Sequence, residues 1–216
     1  MKNDLEIQAD VLAELRWDPK INAPQIGVEV SNGVVTLSGY VESYLEKIGA
    51  EIAAKRVIGV GAIAQAIKVL LPGSSIRSDT EIARQIQSII SWSDIDPNDQ
   101  IHIKVEKGFI TLTGKVEAFH KKELAQQYAT NMLGVTGICN LIEIEPKLTG
   151  SVIKKDIQDA FTRQAIDHAQ KLDIMINHNI VTIAGRVKSW SERNSAINAA
   201  WSIPTVKNVI DRIQIA

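Results

Sequence analysis

Four histidines and one cysteine are the residues of this sequence whose side chains most readily bind metals or act as nucleophiles. They are His102, His120, His168, His178 and Cys139. None of them is paired at the spacing that zinc sites use. The sequence also lacks a Ser-His-Asp arrangement, a glycine-rich phosphate loop and a defensible pair of catalytic carboxylates. We therefore predict no catalytic residues, no metal site, no cofactor and no enzymatic activity.

The composition is that of an ordinary soluble protein. Of the 216 residues, 45% are hydrophobic and 23% are charged, and the net charge is −1. One thiol cannot form an intrachain disulfide, and the alternating apolar stretch around Cys139 predicts a buried side chain. The N-terminus lacks the pattern of a secretory signal, and no apolar run is long enough for a transmembrane segment. We expect a cytoplasmic protein, peripheral to a membrane; a removed signal peptide would instead make it periplasmic.

One ten-residue stretch occurs three times, and the chain is organised around it. It spans residues 32–41, 107–116 and 178–187. Each copy begins with two turn residues and continues with alternating apolar and polar residues, which is typical of the second strand of a β-hairpin. Asn179 replaces the turn glycine in the third copy, and we expect it to adopt the same positive φ. The structural glycines of the turns and strands are Gly33, Gly39, Gly108, Gly114 and Gly185.

A helix is predicted before each hairpin and another after it. The first helix carries apolar residues on one face, as Ile82, Ile86 and Ile90 illustrate. The second helix has alanine at two register positions in every copy, which favours a close approach to the strands. It also has an aromatic residue near its start in every copy, namely Tyr44, Phe119 and Trp190.

Helix starts are marked by residues that fit capping boxes, in which a polar cap residue is followed three positions later by glutamate. The first helices of two copies and the second helices of two copies show this spacing. The pairs are Asn3 with Glu6, Ser78 with Glu81, Ser43 with Glu46, and Ser189 with Glu192.

The element order in each copy is helix, strand, strand, helix, strand. The right-handed crossover through the second helix brings the last strand parallel to the second one. We predict an α+β fold of three tandem αββαβ units, each a mixed three-stranded sheet with two helices packed on one face. The predicted domains are residues 1–72, 76–146 and 150–216, termed repeats 1, 2 and 3, because Pro, Gly and Ser residues mark the linkers between them.

The repeated unit resembles the BON domain family (bacterial OsmY and nodulation). The resemblance is carried by the αββαβ order and by the glycine-framed hairpin segments 33–41 and 108–116. The pairs Gly59-Val60 and Gly134-Val135, each followed by an apolar strand, match the second half of the family pattern. The resemblance implies a bacterial, non-enzymatic module of osmotically induced and envelope proteins that attaches to phospholipid or to other envelope components.

Two tryptophans are candidates for contact with a partner. Trp17 and Trp92 occupy the same register position near the end of the first helix, about 100° from the centre of its apolar face, and Arg163 replaces them in repeat 3. One interpretation is that they close the edge of the core or pack between repeats. The other is that they are amphipathic anchors at a lipid interface, where the indole suits both media.

Basic residues are concentrated in the last repeat. Residues 148–216 carry a net charge of +3, whereas residues 1–75 and 76–147 each carry −2. Such a cluster is either ordinary solvated surface or an attraction site for anionic lipid. Together with Arg163, the residues that we select as ligand contacts are Lys154, Lys155 and Arg193.

Together with these features, the resemblance implies a binding or adaptor protein of the osmotic stress response that associates with phospholipid headgroups or with another protein. One alternative is nucleic-acid binding, which the lack of a strongly basic face and of stacking aromatics on strands disfavours. Another alternative is an ion or small-ligand sensor that binds between the domains. The oligomeric state and the identity of the ligand do not follow from the sequence.

Overall fold

The computed structural model describes residues 2–93, 95, 100–146, 155, 157, 159 and 172–215. Repeat 1 forms the predicted elements in the predicted order, with its last strand split into two. Its elements are α1 (Asp4–Trp17), β1 (Ile26–Ser31), β2 (Val34–Val41), α2 (Tyr44–Arg56), β3 (Ala62–Gln65) and the short β4 (Lys68–Val69).

The other two repeats follow the same plan. Repeat 2 consists of α3 (Asp79–Trp92), β5 (Gln100–Glu106), β6 (Phe109–Val116), α4 (Phe119–Thr130) and β7 (Gly137–Ile144). Repeat 3 contains β8 (Asp173–Asn177), β9 (Ile180–Val187), α5 (Trp190–Trp201) and β10 (Asn208–Ile215). Of the first helix predicted in repeat 3, three residues are described and all are helical, namely Lys155, Ile157 and Asp159.

Each repeat has a mixed sheet with the hairpin strands antiparallel and the last strand parallel to its neighbour. In repeat 1, Val30 lies opposite Val35 in the antiparallel pair, and Val35 lies opposite Ile63 in the parallel pair. The sheets of repeats 2 and 3 have the same order, β5-β6-β7 and β8-β9-β10. The predicted α+β fold of three repeated units is confirmed.

The three repeats have separate hydrophobic cores. In α1, the side chains of Ile7, Val11 and Leu15 are buried, as the helical spacing predicts. The alanine positions of the second helices are fully buried because these helices lie directly on the strands. They are Ala50, Ala54, Ala125, Ala129, Ala196 and Ala200.

The hairpin turns are held by the helix that precedes them. The carboxylate of Asp4 accepts hydrogen bonds from the backbone N–H groups of Asn32 and Gly33, at 2.8 and 3.0 Å. In repeat 2, Asp79 binds Lys107 and Gly108 in the same way, at 2.8 Å each. A carboxylate at the start of a helix is also favourable for the helix dipole. One side chain therefore stabilises both the helix and the turn.

The turn of repeat 3 differs from the predicted geometry. His178, the first turn residue, has a φ of 55°, as Asn32 and Lys107 have 51°, but Asn179 is not among the residues with positive φ. The prediction for Asn179 was therefore wrong. Its side-chain amide instead donates a hydrogen bond of 2.6 Å to the carbonyl of Thr205, which ties the turn to the loop before β10.

Two of the four predicted capping boxes are reciprocal, at Asn3 and Ser78. At Ser43 the hydroxyl caps the helix, but the Glu46 carboxylate extends past it. Its oxygens accept hydrogen bonds from the backbone N–H groups of Asn22 at 2.6 Å and Glu42 at 3.0 Å. Glu46 is buried, and these bonds compensate its desolvation.

The aromatic residue near the start of each second helix contacts the next repeat. The ring of Phe119 in repeat 2 stacks on Trp201 of repeat 3, with centroids 4.5 Å apart and planes 4° from parallel. The indole N–H of Trp190 in repeat 3 donates a hydrogen bond of 3.0 Å to the carbonyl of Val60 in repeat 1. Tyr44 of repeat 1 packs against the core of repeat 2.

These three contacts close the chain into a ring. Repeat 1 contacts repeat 2, repeat 2 contacts repeat 3, and repeat 3 contacts repeat 1. The residues contacted are also equivalent in the repeats. Phe119 contacts Trp201, and the equivalent aromatic residue Trp190 lies 5.0 Å from Lys55, which occupies the position of Trp201 in repeat 1. Head-to-tail contacts of one type that return to the start define a closed rotation. The contacts therefore indicate a pseudo-threefold axis that relates the repeats.

We expect that replacing Trp190 will open the contact between repeats 3 and 1. Trp190→Ala removes the bond to Val60 and the ring between Lys55 and Arg193, and should lower the free energy of unfolding by about 2 kcal/mol. Trp190→Phe keeps an aromatic face without the N–H donor and should cost about 1 kcal/mol. Urea unfolding measures both values. Equal stability of the wild type and Trp190→Ala would contradict the role assigned to this contact.

Gly114 should not tolerate a side chain. Its φ is 119°, and an added Cβ would lie 1.7 Å from the carbonyl oxygen of Gln100. We expect Gly114→Ala to destabilise the protein by about 3 kcal/mol, because backbone strain and overlap act together. Gly73→Ala is the matched control, since no atom lies within 4 Å of its added Cβ. A thermal melt in which both variants shift equally would refute the prediction.

Candidate functional site

Trp17 and Trp92 are the most exposed large apolar side chains among the described residues. Trp17 is 86% exposed and Trp92 is 89% exposed. The helical period explains this position, because Trp17 follows the buried Leu15 by two residues and therefore points about 200° away from it. The exposure excludes the interpretation that the two tryptophans close the core or pack between repeats.

The two tryptophans occupy equivalent positions of repeats 1 and 2, because they end the equivalent helices α1 and α3. A rotation without translation keeps equivalent positions at the same height, so we infer that both indoles lie on one face of the ring. We term this the tryptophan face. The third equivalent position, Arg163, lies outside the described residues.

Ion pairs surround the end of α1. The Nε of Arg56 lies 2.8 Å from Glu14, and its guanidinium lies 4.0 Å from Asp18. These pairs are partly exposed and contribute little to stability. Two carboxylates thus share one guanidinium, and the exposed Arg16 beside Trp17 balances the remaining negative charge.

The basic residues selected from the sequence have different environments. Lys155 is exposed. Arg193 forms an ion pair with Asp211, and its guanidinium carbon lies 4.7 Å from the centroid of the Trp190 ring. Arg193 is thus engaged in the contact between repeats 3 and 1, and we do not include it in a ligand surface. Lys154 lies outside the described residues.

A cation occupies the position of Arg193 in every repeat. Lys47 and Lys122 are its equivalents, and each ammonium donates to a backbone carbonyl of its own repeat, between β3 and β4 for Lys47 and in β7 for Lys122. Lys47 bonds to Ile67 at 2.8 Å, and Lys122 bonds to Ile142 at 2.7 Å. The sequence analysis missed this repeated feature, although the register of the repeats contains it.

The selected glycines have structural roles. Gly33, Gly39, Gly108, Gly114 and Gly185 all have positive φ. The first glycine of each pair in repeats 1 and 2 completes the hairpin turn, and the second brings the strand against the backbone of the adjacent strand, as Gly114 illustrates. They position the elements and do not line a binding surface.

Three clefts lie where repeats meet repeat 3. One of about 410 Å³ is lined by Phe119, Glu123 and Trp201, and burial raises the pKa of Glu123 although the nearby His120 opposes this. Another of about 430 Å³ is lined by Trp190 and Arg193.

The third cleft has a volume of about 460 Å³ and is lined by residues of repeats 2 and 3, including Lys122. Burial lowers the pKa of Lys122, and the negative charge of Glu143 partly opposes the shift. Elsewhere at the contacts between repeats, burial raises the pKa of Tyr44 despite a hydrogen bond from the backbone of Ile138.

The residues best suited to metal chemistry are not grouped. Among the described residues, no three His, Cys, Asp or Glu side chains come together as a possible metal site. Cys139 is partly exposed, so the prediction of a buried thiol was wrong. Strand alternation explains the difference, because Ile142 and Ile144 face the core while Cys139 shares the open face of the sheet with Leu141.

The helices that the structure describes include none that is long and apolar enough to cross a bilayer. The expected cytoplasmic location stays a prediction.

Two solved structures from type III secretion systems are similar over most of the chain but superpose poorly. CdsD, a structural protein of that system in Chlamydia trachomatis, has a TM-score of 0.25 at 10% identity, with 98% of this chain and 92% of that chain covered. The periplasmic domain of the inner membrane protein PrgH from S. typhimurium has a TM-score of 0.21 at 13% identity, covering 89% and 95%. No inference rests on these similarities.

Sequence comparison gives a clear relationship. The chain is 30% identical over 142 residues to the osmotically-inducible protein Y of Escherichia coli (strain K12), which covers 64% of this chain and 71% of that protein. The model of the BON domain matches residues 3–70, 78–146 and 149–216. These matches include the hairpin glycines, the capped helices and the last strands described above. The chain therefore belongs to the BON domain family and contains three copies of the domain.

Proposed function

We propose that this protein is a non-catalytic adaptor that docks peripherally on a phospholipid surface through its tryptophan face. The exposure of Trp17 and Trp92 at equivalent helix ends is the observation that carries the proposal. Membership of the BON family and similarity to an osmotically-inducible protein support a role in the osmotic stress response.

The chemistry of indole favours a membrane interface over bulk water. The ring is large and apolar, while its N–H can donate a hydrogen bond to headgroups or water. Each tryptophan is the last residue of its helix, so its side chain can insert into the headgroup region without breaking the backbone hydrogen bonds of the helix. Two indoles on one face bind together, so the second insertion follows at a high effective concentration.

Electrostatic attraction adds to this docking. The net charge of +3 in residues 148–216, with Lys155 exposed, favours anionic lipid at short range. The negative charge of residues 1–147 opposes it. We therefore assign most of the affinity to apolar insertion and a smaller, salt-sensitive part to the basic residues.

Removing the tryptophans should weaken binding to vesicles containing phosphatidylglycerol. Burying an aromatic side chain contributes about 1.5 kcal/mol, so each of Trp17→Ala and Trp92→Ala should weaken partitioning about tenfold, and the double variant should lose more. Co-sedimentation measures the partition, and the emission of Trp17 and Trp92 should shift to shorter wavelength on binding.

The matched control uses another pair of exposed apolar residues at equivalent positions of repeats 1 and 2. Ile58 is 66% exposed and Leu133 is 54% exposed. Ile58→Ala with Leu133→Ala should leave partitioning within about twofold of the wild type. A larger loss in this control than in the tryptophan variant would place the docking face elsewhere. Absence of vesicle binding in the wild type would reject the lipid function and leave a protein partner.

Salt should reduce only part of the affinity. Raising the NaCl concentration from about 0.05 M to about 0.5 M shortens the screening length severalfold, so binding to anionic vesicles should fall while the tryptophan-dependent part persists. Lys155→Ala should weaken low-salt binding about fivefold and high-salt binding hardly at all. The control is a vesicle of neutral lipid, for which neither salt nor this substitution should matter. Binding unaffected by salt would eliminate the electrostatic part of the proposal.

A further inference from the structure

The cleft between repeats 2 and 3 combines charged and apolar walls. Lys122 and Lys207 line it from opposite repeats, together with Leu141, Ile180 and Trp201. Its volume of about 460 Å³ lies within the range of small-molecule sites. Leu141 is exposed beside the partly buried Ile180, so the apolar wall is open to a ligand.

The equivalent cleft between repeats 3 and 1 shows what is unusual here. There, Arg193 takes the place of Lys122, and Asp211 of the adjacent strand neutralises it. Asn140 stands at the position of Asp211 in repeat 2. Lys122 therefore faces the uncharged amide of Asn140, whereas its equivalent Arg193 faces the carboxylate of Asp211.

The opposite walls of the two clefts also differ in charge. Lys207 occupies the register position at which repeat 1 has Gly61, and Gly61 lines the cleft between repeats 3 and 1. This position has no side chain in the cleft between repeats 3 and 1, whereas in the cleft between repeats 2 and 3 it carries the exposed ammonium of Lys207. Both differences add positive charge to the cleft between repeats 2 and 3, and Glu143, whose equivalent in the other cleft is the uncharged Gln214, offsets one of them.

Lys122 can donate to a ligand. Its ammonium donates one hydrogen bond, of 2.7 Å, to the carbonyl of Ile142, and an ammonium has three donors. Asn140 holds the strand around it, because its side chain accepts a hydrogen bond from the N–H of Ile142 and donates to the carbonyl of Lys122. The depressed pKa of Lys122 is consistent with a partly desolvated cation that gains from a nearby anion.

We propose that this cleft binds a small amphiphilic oxyanion, a carboxylate or phosphate carried on a short apolar body. Lys122 and Lys207 bind the charged group, and Leu141, Ile180 and the edge of Trp201 contact the apolar body. The site is distinct from the tryptophan face and does not depend on membrane docking.

Two glutamates lie close enough to the cations of the cleft to oppose an anion. Glu143 lines the cleft and opposes the anion directly. Glu145 lies 3.0 Å from Lys115 in an ion pair, and the charge of Lys207 also acts on it. Removing the charge of Glu143 should therefore strengthen binding, which is an effect that a loss of structure would not produce.

The test titrates the full chain with hexyl phosphate, hexanoate, inorganic phosphate and hexanol by calorimetry, with amide chemical shifts as a second readout. Hexyl phosphate and hexanoate should bind and shift the amides of residues 140–144 and 207–208. Inorganic phosphate and hexanol should each bind at least about tenfold more weakly, because each lacks one half of the recognised chemistry. Equal binding of inorganic phosphate and hexyl phosphate would refute the apolar half of the proposal.

Single substitutions test which residues bind the ligand. Lys207→Gln and Lys122→Gln should each weaken hexyl phosphate binding about tenfold through a lost charge-assisted bond, and Glu143→Gln should strengthen it. Lys188→Gln, an exposed lysine of repeat 3 outside the cleft, is the matched control and should stay within about twofold. The proposal is overturned by the absence of any binding in the wild type, or by equal loss in Lys188→Gln and Lys207→Gln.

A vesicle experiment distinguishes a free amphiphile from a lipid headgroup held in a bilayer. If the ligand is a free molecule, Lys207→Gln should not change the partitioning onto phosphatidylglycerol vesicles that the tryptophan variants test. If the ligand is a headgroup, Lys207→Gln and Trp17→Ala should both weaken partitioning onto the vesicles. Loss of vesicle binding in the tryptophan variants alone would leave this site intact as a separate one.

Discussion

The contact between the first turn of one second helix and the last turn of the next determines the architecture of this protein. Repeats of this size bury thin cores and are marginally stable alone. Tyr44, Phe119 and Trp190 extend three cores into one structure, because each aromatic ring is shared with the neighbouring repeat. The N-terminus of each second helix also approaches the C-terminus of the next, an arrangement that favours the helix dipoles.

The three contacts begin at equivalent aromatic positions but differ in chemistry. One is an aromatic stack, one joins an indole to a carbonyl, a lysine and an arginine, and one places a tyrosine against a backbone. Identical repeats would give three identical clefts. Divergence at Asp211, Asn140, Gly61 and Lys207 instead leaves Arg193 of one cleft paired with a carboxylate, and another cleft with two cations and Glu143 on its walls. Sequence differences between the repeats therefore act on sites that the repeated fold creates.

Tryptophans serve two purposes in this chain. Trp190 and Trp201 lie at the contacts between repeats, where their rings face a cation or another ring. Trp17 and Trp92 are almost fully exposed at helix ends. The large exposed apolar area of each indole supports a surface outside the protein as its partner.

The sequence by itself determined the repeats, the order of their elements, the mixed sheets and the buried alanines, because helix period, strand alternation and capping are local patterns. It also singled out candidate residues for contact with a ligand, but it did not show where they lie relative to one another. Trp190 bonds to Val60, 130 residues away in the chain, and no local pattern predicts such a pair. Only the tertiary structure decided that Arg193 pairs with Asp211, that Trp17 is exposed and that the ring closes, because these depend on which surfaces meet when separate repeats pack.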